Sequence, residues 1–502
     1  MIDIILGYRP IIAVFISQIA ALLIIASGER IKQNARESFT IVASIVKALC
    51  VFSMLPCVLN GENFDITLIR IADGIDLGFK VDSFGMVFAC IASGLWIITS
   101  IYSIGYMRGG KEQGQTGYFA AFCMCLSGTI GICFARNLLT FFIFYEMLTV
   151  ATYPLVVHHK DLEARTSGRT YLIYTLVSGQ MMLAGIIYIY YKCGTTEFAP
   201  GGFIESEITG KTATFIFILM ILAGAVKAGV IPLHSWLPQA MVAPTPVSAL
   251  LHAVAVVKAG AFCVGRIVLY TFGPHLARQC GGSKLLAVVA GITIIASSLV
   301  ALKKTNLKER LAYSTIGQLS YIVLGFCLLN PQGIIGGMYH MVAHALLKIS
   351  LFFCAGAIFI NTGKKDINEM RGVGRKMPVT MGCFAVASLG IAGLPFLPAF
   401  FSKLNIMQGS LTAGMPIFII VLVISALLSL TYLMPVAYIA FTKKDVSPEF
   451  TSINPSIKTD ASLMMLVPIV IAILLSFIIG IYPDFGAKIL SLAKMTAYGI
   501  FQ

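Results

Sequence analysis

Long apolar stretches follow one another along almost the whole of this sequence, and that succession limits the fold more than any other feature. A helix crosses a bilayer with about 20 apolar residues, and by that measure roughly fourteen stretches qualify. They run 10–27, 39–59, 83–104, 118–135, 137–157, 170–191, 213–236, 246–271, 285–303, 309–329, 333–360, 378–402, 413–442 and 462–482. Hydrophobic residues make up 58% of the chain and charged residues 12%, too few to cover a water-soluble domain. The expected fold is an all-α polytopic membrane protein of about fourteen transmembrane helices, a single membrane domain over 1–502. The stretch from Asp484 to Gln502 has helical spacing but is short and mixed, and is expected at the surface.

Charges interrupt this apolar background where lipid could not accept them. Lys227 lies inside the run Phe215 to Leu233, flanked by Gly224, Ala228 and Gly229 and followed by Pro232; Glu146, Lys258, His340, His344, Lys348 and Lys403 lie inside other segments. Facing lipid, each would cost about 2.5–3.5 kcal/mol, so a stable chain turns them inward to pair or to be hydrated. Lys47, in segment two, could equally snorkel or pack.

The net charge of +14 does not point to nucleic acid, because the basic residues are scattered through short loops without interleaved aromatics. Orientation accounts for them: roughly 20 Lys and Arg fall in one set of loops and about 10 in the other, as the positive-inside rule requires. The richer set (Arg30, Lys32, Arg36; Lys160, Arg165, Arg169; Lys303, Lys304, Lys308, Arg310; Lys364, Lys365, Arg371, Arg375, Lys376; Lys443, Lys444) is then cytoplasmic. Both termini are expected on the outer side of the cell inner membrane, together with the acidic segment 60–82 (Glu62, Asp65, Asp73, Asp76, Asp82). The N-terminus lacks the basic region and cleavage site of a signal peptide, so the first helix is expected to be retained. The twelve cysteines read as small helix-packing residues: Cys123-Met124-Cys125 lacks metal-finger spacing and no CxxC occurs. No redox-cofactor, metal or nucleotide-binding signature is found, and no cofactor is expected.

Two segments carry glycines and prolines around a lysine: Ala223 to Pro238 with Lys227, and Leu389 to Lys403 with Gly393, Pro395 and Pro398. They are segments seven and twelve, five apart. Broken helices in corresponding positions mark transporters built on inverted repeats, which predicts two five-helix units of opposite orientation, 118–271 and 285–442.

The buried groups suit proton transfer. A carboxylate facing an ammonium stays ionised, so Glu146 and Lys227 read as a pair whose separation would let the lysine release a proton. His340, His344 and Lys348 are spaced four and four and stack on one helical face, a pattern suited to a proton relay; a metal site is the rival, opposed by the lysine. His252 and Lys258, six apart, fall on partly different faces, with Lys258 the stronger candidate. Between segments nine and ten, Leu302 to Tyr321 supplies a charged turn and then Ser, Thr, Gln and Tyr, which either pack or hold water.

Phe-Tyr-Glu-Met at 144–147, Val-Lys-Ala-Gly-Val-Ile-Pro-Leu-His-Ser-Trp-Leu-Pro at 226–238, the run Ala243 to Gly260, Leu-Ala-Tyr-Ser-Thr-Ile-Gly-Gln-Leu-Ser-Tyr at 311–321 and His-Ala-Leu-Leu-Lys at 344–348 carry a resemblance. The sequence resembles the antiporter-like subunits shared by respiratory complex I (NADH-quinone oxidoreductase), Mrp-type cation/proton antiporters and membrane-bound energy-converting hydrogenases. The resemblance implies a fourteen-helix fold and a proton-translocating subunit, with H⁺ and also Na⁺ as candidate ions. It also implies partners, namely other membrane subunits of one complex, further antiporter-like subunits included. By motif, Glu146 and Lys227 match the family's pair on helices five and seven, Lys258 its connecting lysine, His344 and Lys348 its helix-eleven relay, and Lys403 its exit-side charge, which is glutamate in some members. A stand-alone secondary transporter and a structural scaffold without an ion path are the alternatives.

Overall fold

In the computed structural model, residues 7–28, 32–62, 64–72, 74–204, 207–442 and 460–502 are described; Arg30, Asp73, Lys443 and Lys444 lie outside them. The helices are α1 (Arg9–Ser27), α2 (Gln33–Leu59), α3 (Ser83–Gly109), α4 (Gln115–Phe134), α5 (Leu138–Val156), α6 (Leu162–Cys193), α7 (Gly210–Ala228) and α8 (Thr245–Thr271). They continue with α9 (Gly282–Lys303), α10 (Leu307–Cys327), α11 (Pro331–Thr362), α12 (Pro378–Ala392), α13 (Pro398–Thr412), α14 (Ile417–Thr442), α15 (Leu463–Ile481) and α16 (Ile489–Gly499). Twelve of the described helices are long and apolar enough to cross a membrane. The expected segments 309–329 and 378–402 correspond to α10, whose first turns carry Lys308, Glu309 and Arg310, and to the broken pair α12 and α13.

Helix starts are fixed by side chains that accept the free N–H groups of a first turn. Asp82 accepts from Gly85 N at 2.7 Å, Asn137 from Thr140 N at 2.8 Å, Asp161 from Ala164 N at 2.7 Å and Asn330 from Gly333 N at 2.9 Å. The acidic segment 60–82 folds into an antiparallel hairpin, β1 (Phe64–Ala72) and β2 (Ile75–Val81).

Two helices form the centre. Every residue of α8 is buried, and α11 packs against α3, α8, α10, α12, α13, α15 and α16. Between them these helices carry the buried His252, Lys258, Arg266, His340, His344 and Lys348, so the chain places costly side chains far from lipid. The terminal helix α16 corrects the expectation of a surface segment: its face Ile489, Leu492, Ala493, Thr496 and Ala497 docks on α3 and α11, and Thr496 meets Ser83 at 2.7 Å. Its amphipathic face finds protein before it finds the membrane interface.

The breaks fall where Gly and Pro predict them. Helix α7 stops at Ala228, Gly229 takes φ +69°, the Ile231–Pro232 peptide is cis, and a short helix restarts at Trp236. Helix α12 stops at Ala392, Gly393 takes φ +102°, and α13 begins at Pro398. A third irregularity gives no such signal. Helix α8 passes through a π turn at Leu250–Val254 and a kinked Ala255 (φ −108°, ψ −83°) before resuming as α-helix at Val256.

Candidate functional site

Each broken or distorted helix leaves carbonyls without an N–H donor, and in the interior another donor must reach them. At the first break the Trp236 indole donates to Val226 O at 2.8 Å, adding to the Gly229 N–H that reaches the same carbonyl at 3.0 Å. At the second, Lys403 Nζ donates to Ile391 O at 2.7 Å and Ala392 O at 3.0 Å, placing a cation at the C-terminal end of α12, where the helix dipole favours it. In α8, Lys258 Nζ donates to Ala253 O beside the kink. The lysines are thus held by backbone rather than by acids.

Lys258 also stands 3.4 Å from Nδ1 of His344, joining α8 to α11. One turn back along α11 the His340 ring lies 6.4 Å from that of His344. His340 Nδ1 contacts Ser402 Oγ at 2.8 Å and its Nε2 contacts Gln318 Oε1 at 3.1 Å, while Tyr321 stacks on its ring at 5.1 Å. Lys403, next to Ser402, sits 5.1 Å over the same tyrosine ring. Lys258, His344, His340 and Lys403 therefore form a nearly continuous polar row, with Ser402, Gln318 and Tyr321 between its members. Ser402 is not among the individual residues that sequence reasoning selects, although its place beside Lys403 is a usable signal. Lys348, one turn beyond His344, lies off this row and donates to Leu311 O at 3.1 Å.

On the other side, the direct pair expected between Glu146 and Lys227 is not formed. Lys227 Nζ donates to Tyr145 O at 2.7 Å and lies 3.2 Å over the Tyr145 ring, while neither carboxylate oxygen of Glu146 has a hydrogen-bond partner. Consecutive helical residues point about 100° apart, so the carboxylate beside Tyr145 turns to α6 and packs against Gly179. Lys227 meets α8 at Gly260, where an added Cβ would lie 2.7 Å from the lysine's own Cβ.

Both ring nitrogens of His252, Nε2 of His344 and the Ser248 hydroxyl are buried without a protein partner. Thr245, Ser248 and His252 recur at i, i+3 and i+7 along the start of α8. Thr245 lines a cavity of about 200 Å³ together with Glu112, His159 and Lys308. The His252 ring lies 5.0 Å from that of Phe352, tilted by 34°.

Residues 135–429 match the family described as "NADH:quinone oxidoreductase/Mrp antiporter, TM", more than half of the chain. The chain belongs to that family. Residues 69–119 further match "NADH-Ubiquinone oxidoreductase (complex I), chain 5 N-terminus". Among its relatives, NADH-quinone oxidoreductase subunit N of Desulforudis audaxviator (strain MP104C) is 29% identical over 409 residues, 78% of this chain and 81% of that protein. The putative antiporter subunit mnhA2 of Staphylococcus haemolyticus (strain JCSC1435) is 30% identical over 72% of this chain, which spans only 47% of that protein's length. A chain of the membrane-bound sulfane sulfur reductase, an archaeal respiratory membrane complex, superposes with a TM-score of 0.84 over 98% of both chains at 21% identity, a likeness of fold.

Proposed function

We propose that this family member is a proton-translocating subunit of a multi-subunit membrane complex, driven by electron transfer or cation exchange in partner subunits. The observation that carries this reading is the Lys258–His344 contact across the two most central helices. A lysine and a histidine in contact, neither beside a carboxylate, cannot both hold an extra proton cheaply, so a proton on one favours release from the other. From there His340 and the Ser402 hydroxyl carry it to Lys403, the group nearest the second break. Lys348, Lys227 and Glu146 act at the flanks, the last two coupled through the Tyr145 turn of α5. Uptake runs from the cavity beside Lys308 along Thr245, Ser248 and His252, the last two with unpartnered polar atoms that suit bridging water.

The same reading takes 118–271 and 285–442 as inverted repeats, the breaks in α7 and between α12 and α13 being their equivalent elements. The basic loops face the cytoplasm, both termini face outward, and further antiporter-like subunits are the expected neighbours in the inner membrane. H⁺ is the transported ion of this reading, with Na⁺ as the exchange partner to be tested.

The test is proton translocation by the whole complex reconstituted in liposomes, read with a pH-sensitive dye. Lys258→Met and His344→Ala should each lower the rate by about 10²-fold or more while the complex still assembles. A wild-type rate in Lys258→Met would overturn the proposal.

A further inference from the structure

A second buried polar column lies outside the row described above, between α2 and α3. Glu37, Thr40, Ser44 and Lys47 recur at three and four residues along α2 and are all buried, Lys47 completely. Lys47 does not snorkel. Its Nζ donates to Ser17 Oγ of α1 at 2.6 Å and lies 4.9 Å over the ring of Trp96 in α3. The titratable neighbours of the ammonium are the thiols of Cys123 and Cys133 on α4, with no carboxylate among them. At the other end of the column, Glu37 accepts from Nε of Arg108 at 3.0 Å and also from its Nη2, while Arg36 reaches Thr116 at 3.2 Å.

The ten residues from Glu37 to Lys47 span about 15 Å of helix, so the column runs from the face of the basic loops to roughly the middle of the bilayer. Facing it, the Trp96 indole N–H and the Ser100 hydroxyl, one turn apart on α3, are buried without a partner, as is the Oε1 of Gln18 beside Ser17. Thr40 meets only the Cys123 thiol at 3.8 Å, and Ser44 bonds back to its own helix at Ile41 O. Unpartnered donors and acceptors at this depth are costly unless water or an exchanging proton visits them. A lysine kept only for packing would be replaced without loss by methionine, which has similar length and no charge to desolvate.

We propose that Lys47 is a second proton-exchanging site, reached from the basic-loop face past Glu37, Thr40, Ser44 and Ser100, and separate from the Lys258 row. Its ligand is the proton, carried along the column by water between these side chains. The proposal rests on the proton-translocating reading given above.

The experiment measures the pH profile of proton translocation by the whole complex in liposomes for Lys47→Met, Lys47→Arg and Lys258→Met. Arginine keeps the positive charge and much of the packing but does not give up its proton. Lys47→Arg should therefore be as slow as Lys47→Met, both about ten-fold below wild type and with a changed pH profile. A wild-type rate and profile in either Lys47 variant, with Lys258→Met inactive, overturns the Lys47 site alone. An active Lys258→Met overturns the proton-translocating reading itself. Should the Lys47 variants fail to assemble, Thr40→Val combined with Ser44→Ala leaves the lysine in place; a several-fold loss of rate supports the route, and an unchanged rate overturns it.

Discussion

Arg266 and Asp82 form a two-pronged ion pair, Nη1 to Oδ2 at 2.5 Å and Nη2 to Oδ1 at 2.9 Å, which ties the last turns of α8 to the first turn of α3. The guanidinium is 1% exposed and is ringed by Phe84, Phe198, Phe262 and Tyr270 at 4.6–5.3 Å. Asp82 also caps α3, so one carboxylate fixes two elements. Arg266 is not among the charges singled out from the sequence, although an arginine inside an apolar run is itself a signal.

Removing the acid of this pair should do more harm than removing the base. Asp82→Ala leaves Arg266 buried without a counter-charge and uncaps α3, for an expected loss of about 3–5 kcal/mol. Arg266→Met leaves a partly exposed aspartate that water can reach and should lose clearly less. Thermal unfolding of the two variants in detergent checks the order, and a more stable Asp82→Ala would contradict it.

Gly179 sets the position of Glu146. An added Cβ would lie 2.8 Å from the carboxyl carbon, so Gly179→Ala must push the carboxylate away from α6. The expected result is a fall in translocation of roughly ten-fold with assembly intact, approaching the loss in Glu146→Gln. Translocation equal to wild type in both variants would remove Glu146 from the proposed function.

Lys403 should matter to the fold as well as to the ion path, because it supplies the donor for two carbonyls at the end of α12. Lys403→Met should lower stability by about 1–3 kcal/mol. Lys403→Glu should lower it further, since a carboxylate there faces the negative end of the helix. Chemical denaturation of purified protein reads both effects.

His158 follows α5 at the membrane edge and titrates low. Burial, followed by the neighbouring His159 and Lys160, pushes its imidazole down to about 4. In the unfolded chain it gains its proton near 6.5, so between these values the unfolded state binds more protons and folding weakens as pH falls. Melting temperature should therefore drop from about pH 6.5 toward pH 4 and flatten in His158→Gln, as measured across that range. An equally steep drop in the variant would assign the acid sensitivity elsewhere.

The sequence by itself determined the membrane class, the positions of the long helices, the two Gly/Pro breaks and most of the central charges that had to be buried, though not Arg266 or Lys47. Those features are local: apolar length decides insertion, glycine and proline decide where a helix ends, and the cost of a charge in lipid acts on each residue separately. Only the tertiary structure decided what each buried charge meets. Lys227 takes the Tyr145 carbonyl instead of Glu146, Lys258 takes both the carbonyl freed at the α8 kink and His344, and Lys47 is enclosed by α1 and α3 instead of reaching the interface. The π turn in α8, the hairpin at 64–81 and the docking of α16 were decided in the same way. Each depends on which helix lies alongside, and that is set by the packing of side chains far apart in the chain, for which a single sequence carries no local signal.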